Sequence, residues 1–145
     1  MTHTYLLQEG LWQVNGYFAD SRAQRLPITG RVKIWHEEDA WFNRSEMMLN
    51  QDKKMSFCNL YEIEPLNQGL ETTIWETQHA RLGLIIGNLV VLDETIIMSY
   101  TAEGGHFSGT ESLYQLDADR YKSWGVMWQG DQKVSSWQAN VIRQV

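Results

Sequence analysis

The chain has 145 residues and a net charge of −6, with 12 Lys+Arg against 18 Asp+Glu. That balance excludes a nucleic-acid surface, which needs clustered cations, and no like-charge run longer than Glu37-Glu38-Asp39 offers an electrostatic arm. Only 2 Pro, 11 Gly and 43% apolar residues exclude a disordered chain and describe one domain over residues 1–145.

Cys58 is the sole cysteine, so no internal disulfide forms, which fits a reducing compartment. The start, Met1-Thr2-His3-Thr4-Tyr5-Leu6-Leu7, has neither a basic opening nor a long apolar run, so no signal peptide is expected. Leu82–Leu92, the most apolar stretch, is too short to span a bilayer as a helix and contains Asn88. A cytoplasmic protein without membrane insertion is the expectation, and the sequon Asn43-Arg44-Ser45 is then a chance match.

Residues 1–9 read as a polar lead with a short helical turn at Tyr5–Glu9. From Trp12 the period is two: Trp12, Val14, Gly16 and Phe18 alternate with Gln13, Asn15 and Tyr17. Leu26, Ile28, Gly30, Val32 and Ile34 then share one face, and Pro27 sits near the strand start, where a lost donor costs little. Glu38-Asp39-Ala40 leads into Trp41–Leu49, and Asn50–Lys53 turns the chain into Met55–Ile63. A loop at Pro65–Gly69 precedes a strand over about Leu70–Thr77. Between Ala80 and Asp93, Gly87-Asn88 is either a tight turn or a glycine kink inside one longer strand. Thr95–Thr101, Phe107–Leu116, Tyr121–Trp128 and Val134–Arg143 complete the set, separated by Asp/Glu and Gly-rich turns.

The tally is roughly nine to eleven strands, about ten, with no long helical period after residue 10. Sequential hairpins without a long crossover favour a closed up-and-down barrel over a Greek-key sandwich, and closure removes exposed edges. In such a barrel the first and last strands are neighbours. Arg143 could then stack over Trp12 in a cation–π contact worth roughly 0.5–2 kcal/mol.

This Gly10-x-Trp12 opening with a late Arg143 resembles the lipocalin branch of the calycin superfamily. The meander is also similar to other calycin barrels, including fatty-acid-binding proteins and nitrobindin-type haem proteins. No two-helix lid or C-terminal helix is evident, so the likeness reaches the superfamily and no one family within it. It implies an all-β, up-and-down antiparallel β-barrel, calycin-like and with little helix, holding a small apolar or amphipathic ligand.

If Trp12 points inward, alternation places Val14, Phe18, Ile34, Met47, Phe57, Ile63 and Met98 on the inner face. The same parity brings in His36, Asn43, Ser45, Asn59, Tyr61, Glu76 and Tyr100, then Glu111, Tyr121, Ser123, Ser136, Gln138 and Asn140 unless a bulge shifts the register. The opposite face, carrying Trp35, Trp75, Trp124, Trp128 and Trp137, is the alternative filling of the interior. On the first assignment the ligand walls are Trp12, Phe18, Ile34, Met47 and Phe57. Polar orientation comes from His36, Asn43, Asn59, Tyr61, Tyr100 and Glu111.

No histidine pair has a metal-ligand spacing, and His36 with Glu37, Glu38 and Asp39 reads as a solvated acidic hairpin, so no metal and no cofactor is expected. A nitrobindin-like haem site needs one axial histidine, for which His36 or His106 is the alternative. No Ser-His-Asp constellation or nucleophile elbow is present, and Cys58 beside Phe57 reads as a buried, inert thiol. Glu76, Glu111 and His36 could still serve acid–base chemistry on a lipid-like substrate, and exposed Trp35 or Trp75 could support a homodimer.

Overall fold

Alternating apolar and polar residues, rich in rings and β-branched side chains, fold here as strands throughout. The computed structural model describes residues 2–50, 52–67 and 69–145. Gln51 of the expected Asn50–Lys53 turn and Gln68 of the 65–69 loop lie outside the described residues. The strands are β1 (Gly10–Ala19), β2 (Arg25–His36), β3 (Trp41–Leu49), β4 (Asp52–Ile63), β5 (Thr72–His79), β6 (Gly83–Leu92), β7 (Thr95–Ala102), β8 (Phe107–Asp117), β9 (Arg120–Gln129) and β10 (Gln132–Gln144). Each pairs antiparallel with its sequence neighbour, and β1–β10 closes the barrel. Gly87 lies inside β6, which settles the Ala80–Asp93 stretch as one strand.

The closure is made where the sequence placed it. Trp12 and Arg143 are direct cross-strand partners, and the guanidinium carbon lies 5.8 Å from the indole centroid. Tyr5 and Tyr121 meet the same indole edge-on at 5.2 and 5.6 Å, so the ring is 1% exposed. Ile34, Ile63, Ile96 and Leu113 fill in around it as the core of this end.

The polar lead is not a lead. His3, Thr4, Tyr5 and Leu6 are all buried and plug the end where Trp12 sits. Only a single helical turn forms, with the Gln8 amide donating to the Thr4 carbonyl at 3.1 Å. Leu6 takes a left-handed φ of 69°, costing about 1–2 kcal/mol. Its full burial and the His36 Nε2 donation to its carbonyl at 2.8 Å hold it there. The segment reads as polar because its polar atoms are paired one at a time inside the barrel. His3 Nε2 donates to the Asp93 carbonyl at 2.6 Å, and the Thr4 hydroxyl donates to the Ala118 carbonyl at 2.6 Å.

The Tyr121 hydroxyl is the hub of that plug. It accepts from the amides of Thr4 (3.0 Å) and Tyr5 (3.3 Å) and donates to His3 Nδ1 at 2.8 Å. Tyr121→Phe strands these groups in a buried site, so stability should fall by about 1–3 kcal/mol. Hydrogen exchange at Thr4 and Tyr5 should accelerate with it. Unchanged protection of both amides would mean that packing alone holds the plug.

Three orientations differ from the sequence reading. A bulge between Lys133 and Ser135 slips β10 by one residue against β9, pairing Ser135 with Met127. The slip flips the whole strand: Ser135, Trp137, Ala139 and Val141 face inward, while Ser136, Gln138 and Asn140 do not. In β5, pairing of Ile63 with Trp75 and of Tyr61 with Thr77 carries the inward parity to Trp75 and Thr77, leaving Glu76 exposed. Trp75, at 4% exposure, is therefore not an outer dimerisation residue. Cys58 is exposed, because Phe57 takes the inward position and Cys58 the outward one.

Candidate functional site

Burial divides the barrel interior in two. Around the plug the inward side chains are sealed, whereas towards the other end Phe18, Met47, Asn59, Tyr61, Tyr100, Phe107, Glu111, Met127 and Trp137 are only half-buried. Among the described residues, the turns 21–24, 103–106 and 130–131 at that end are exposed, Leu82 of the 80–82 turn packs half-buried against the core, and no buried segment matching the plug crosses it. The interior there is a cup. Its wall is also incomplete on one side. The β4–β5 ladder covers Tyr61–Thr77, Glu62–Glu76 and Ile63–Trp75, with the Thr77 hydroxyl donating to the Leu60 carbonyl at 2.6 Å, and over the earlier part of β4 the ladder runs with β3. Phe57 stands at the lip of this slit, 42% exposed.

Rings lie flat against the cup wall because glycines on neighbouring strands make room. A Cβ at Gly87 would overlap the Trp75 indole, one at Gly109 the Tyr100 ring, and one at Gly125 the Trp137 indole. Each glycine pairs in register with the residue whose ring covers it. The rings therefore lie along the wall without projecting across the lumen. Tyr61, Trp75 and Tyr100 make edge contacts at 5.5 and 6.0 Å, and the Trp75 Nε1 donates to the Asn88 carbonyl at 3.2 Å.

Glu111 lies among these rings on the inward face of β8, between Met98 of β7 and Gly125 of β9. Among the described residues its carboxyl makes no hydrogen bond and no ion pair. Burial alone raises its pKa from 4.5 to about 7. Burial first, then the Glu111 charge, raises Tyr100 to about 12 and pushes Tyr5 and Tyr61 up as well. The phenols titrate far above the carboxyl, so they feel its charge while it titrates among neutral neighbours. Asn43 donates to the Tyr5 hydroxyl at 3.2 Å and accepts from Ser45 at 2.8 Å, which ties this polar group to the plug.

The expected ligand residues thus fall into two groups. Phe18, Met47, Phe57, Asn59, Tyr61, Tyr100 and Glu111 surround the cup, with Asn43 at its floor. Trp12, Ile34 and His36 lie at the plugged end, where protein already covers them. His36 stacks on Trp41 at 4.1 Å and its Nε2 is taken by Leu6, while His106 is exposed beside a turn, so neither aims a nitrogen into the lumen. Sequence reasoning had Trp75 and Trp137 inside only in the alternative, opposite-face filling, and it missed the plug's Tyr5. Mid-strand glycines were the available signal for the two tryptophans.

A second concavity of about 950 Å3 lies on β1–β4, lined by outward residues such as Gln13, Thr29, Arg31, Glu46 and Cys58, and it shares Met47 and Phe57 with the cup wall. Its charges are already neutralised, with Glu46 bridging Arg31 at 3.4 Å and Arg44 at 3.3 Å, and it is broadly open to solvent. The cup, where a carboxyl stands unpaired, is the stronger site. Among the described residues no three His, Cys, Asp or Glu side chains converge as metal ligands. No helix is long and apolar enough to cross a membrane.

A closed ten-stranded antiparallel barrel, plugged at one end and hollow at the other, is the class that fold and site define. No family model matches the sequence, and no curated protein matches it. Among solved structures it is similar to the S-type phycobiliprotein lyase CPES from Guillardia theta, with a TM-score of 0.71 at 10% identity over 96% of this chain and 89% of that one. A redesigned beta barrel, mFAP1, bound to DFHBI, also matches, with a TM-score of 0.45 at 11% identity over 95% of each chain.

Proposed function

We propose that this protein is a calycin-type binding barrel that holds a small, partly apolar molecule in the cup, entering by the unplugged end or the β4–β5 slit. The observation that carries the reading is the Glu111 carboxyl, half-buried among half-exposed rings and without a protein partner among the described residues. An unpaired buried acceptor costs about 1–3 kcal/mol, more when charged, and a ligand donor offsets that cost. Ring faces along the wall supply apolar contact, and Asn59, Tyr61 and Tyr100 supply orientation.

Catalysis in the same cup is the second reading, and the phycobiliprotein lyase with a similar fold is an example of an enzyme of this shape. A carboxyl poised near 7 favours it, as proton transfer needs such a group. Against it, no carboxyl–tyrosine or carboxyl–histidine hydrogen bond exists in the lumen among the described residues. Holding is the better-supported use.

The test is titration with a neutral fluorogenic probe, N-phenyl-1-naphthylamine, into the wild-type chain and Gly125→Leu. The leucine drives the Trp137 ring off the wall into the cup. Saturable enhancement in the wild type, weakened about tenfold or more in the variant, is expected, since overpacking costs about 1–3 kcal/mol. No enhancement with the wild type would sink the reading.

A further inference from the structure

The cup has a sign. Glu111 lies on its inner face, and the cations of the inward parity whose side chains are described are committed elsewhere. Arg143 lies at the plugged end over Trp12, and His36 donates to Leu6. At the rim, His79 Nδ1 accepts the amides of Arg81 and Leu82. Arg31, Lys33, Arg44 and Lys122 are exposed.

We infer that the cup selects an organic cation on a flat aromatic frame, with Glu111 as its counter-charge and the wall rings as its platform, and that it rejects a carboxylate of the same shape. The inference rests on the binding reading above and gives its ligand a chemical class. Two features act together. A cation approaching Glu111 gains a partner that no protein group supplies, in a site where water screens weakly. The rings of Tyr100 and Trp137, each backed by a glycine and half-buried, leave ring surface open to a flat ligand in the cup. An anionic head group meets the reverse: a second negative charge beside Glu111 and, among the described residues, no cation beside it to receive it. A fatty acid, with its carboxylate head, fits this cup badly.

The preference must follow the charge on Glu111. The titratable groups facing it are Tyr5 from the plug, Tyr61 from β4 and Tyr100 from β7, all held neutral by raised pKa values. From β9 and β10 it meets Gly125 and Trp137, which do not titrate. Among these facing groups Glu111 alone changes charge between mildly acidic and mildly basic pH.

The experiment uses three near-isosteric probes: 2-naphthylmethylammonium, 2-naphthylmethanol and 2-naphthylacetate. Calorimetric titration of the full chain is run at about pH 8 and about pH 5, with Glu111→Gln in parallel. At about pH 8 the ammonium should bind at least about tenfold tighter than the alcohol, and the acetate at least about tenfold weaker. At about pH 5, and in the glutamine variant at either pH, the three should converge to within about threefold. Should the variant not fold, the two wild-type pH arms carry the same contrast. Alcohol binding with no ammonium preference at pH 8 would overturn the cation inference and leave the binding reading standing. Failure of all three probes would remove both.

Discussion

Trp12→Ala should lower the stability of the barrel by about 3–5 kcal/mol, the range for deleting a fully buried indole. In a chain of this length that corresponds to a fall in melting temperature of roughly 6–20 °C. The ring is 1% exposed and stands where three independent pieces of chain converge: the plug through Tyr5, β9 through Tyr121 and β10 through Arg143. Its removal opens a cavity under the plug and takes the ring face away from the guanidinium. Tyr5 and Tyr121 also lose their edge contacts. Trp12→Phe separates volume from polarity. The indole Nε1 is buried with no hydrogen-bond partner, so phenylalanine removes an unsatisfied donor along with some apolar area. That variant should lose less than half of what alanine loses. Thermal unfolding followed by circular dichroism measures both. An alanine variant within about 3 °C of wild type would show that the strand pairing, and not the indole, closes the barrel.

Trp12 and Arg143 were legible from the sequence because closure needs only topology. A meander with an even number of antiparallel strands brings its ends together, and each residue sits at a strand's outer end, where register cannot drift far. Alternation was equally readable through β1–β3, where no bulge interrupts it. It failed in β10, since the bulge between Lys133 and Ser135 leaves no mark in composition yet reverses every later side chain. The plug was invisible for a different reason. Thr2 to Glu9 has no period, because its side chains are buried by individual hydrogen bonds and not along a face.

The candidate site was half visible. Glu111, Tyr61 and Tyr100 follow from strand parity, which places them inside but not which part of the interior is hollow. The hollow depends on pairs across strands: Trp75 with Gly87, Tyr100 with Gly109, Trp137 with Gly125. Such pairs lie 9 to 12 residues apart, and reading them needs the register that only the folded sheet supplies. The same holds for the slit. Where β4 leaves β5 is a property of pairing, and the residues that reveal it, Phe57 and Cys58, look like ordinary strand residues until one side of the strand is found bare.

Glu111→Gln should remove the pH dependence that this carboxyl imposes on folding. The group is raised in the folded state, from 4.5 to about 7, so the native chain holds a proton that the unfolded chain has released. Below about pH 4 both states are protonated and the group contributes nothing to the slope. Between about 4.5 and 7 the unfolded state binds fewer protons, so stability declines as pH rises, and above 7 the loss is complete. A shift of this size corresponds to roughly 3 kcal/mol. Because the carboxyl keeps part of its surface open to the cup, about 2–3 kcal/mol is the expected effect. Glutamine keeps the shape and never ionises. Its stability relative to wild type should therefore rise by that amount between about pH 4.5 and pH 8, measured by urea unfolding across the range. A flat difference between variant and wild type would mean that the carboxyl is ionised at no cost, already satisfied by water in an open cup. The same carboxyl that destabilises the empty barrel at neutral pH is the one a bound cation would relieve. A cationic ligand should therefore protect the wild type against urea more strongly at about pH 8 than at about pH 5, and should do little for the glutamine variant.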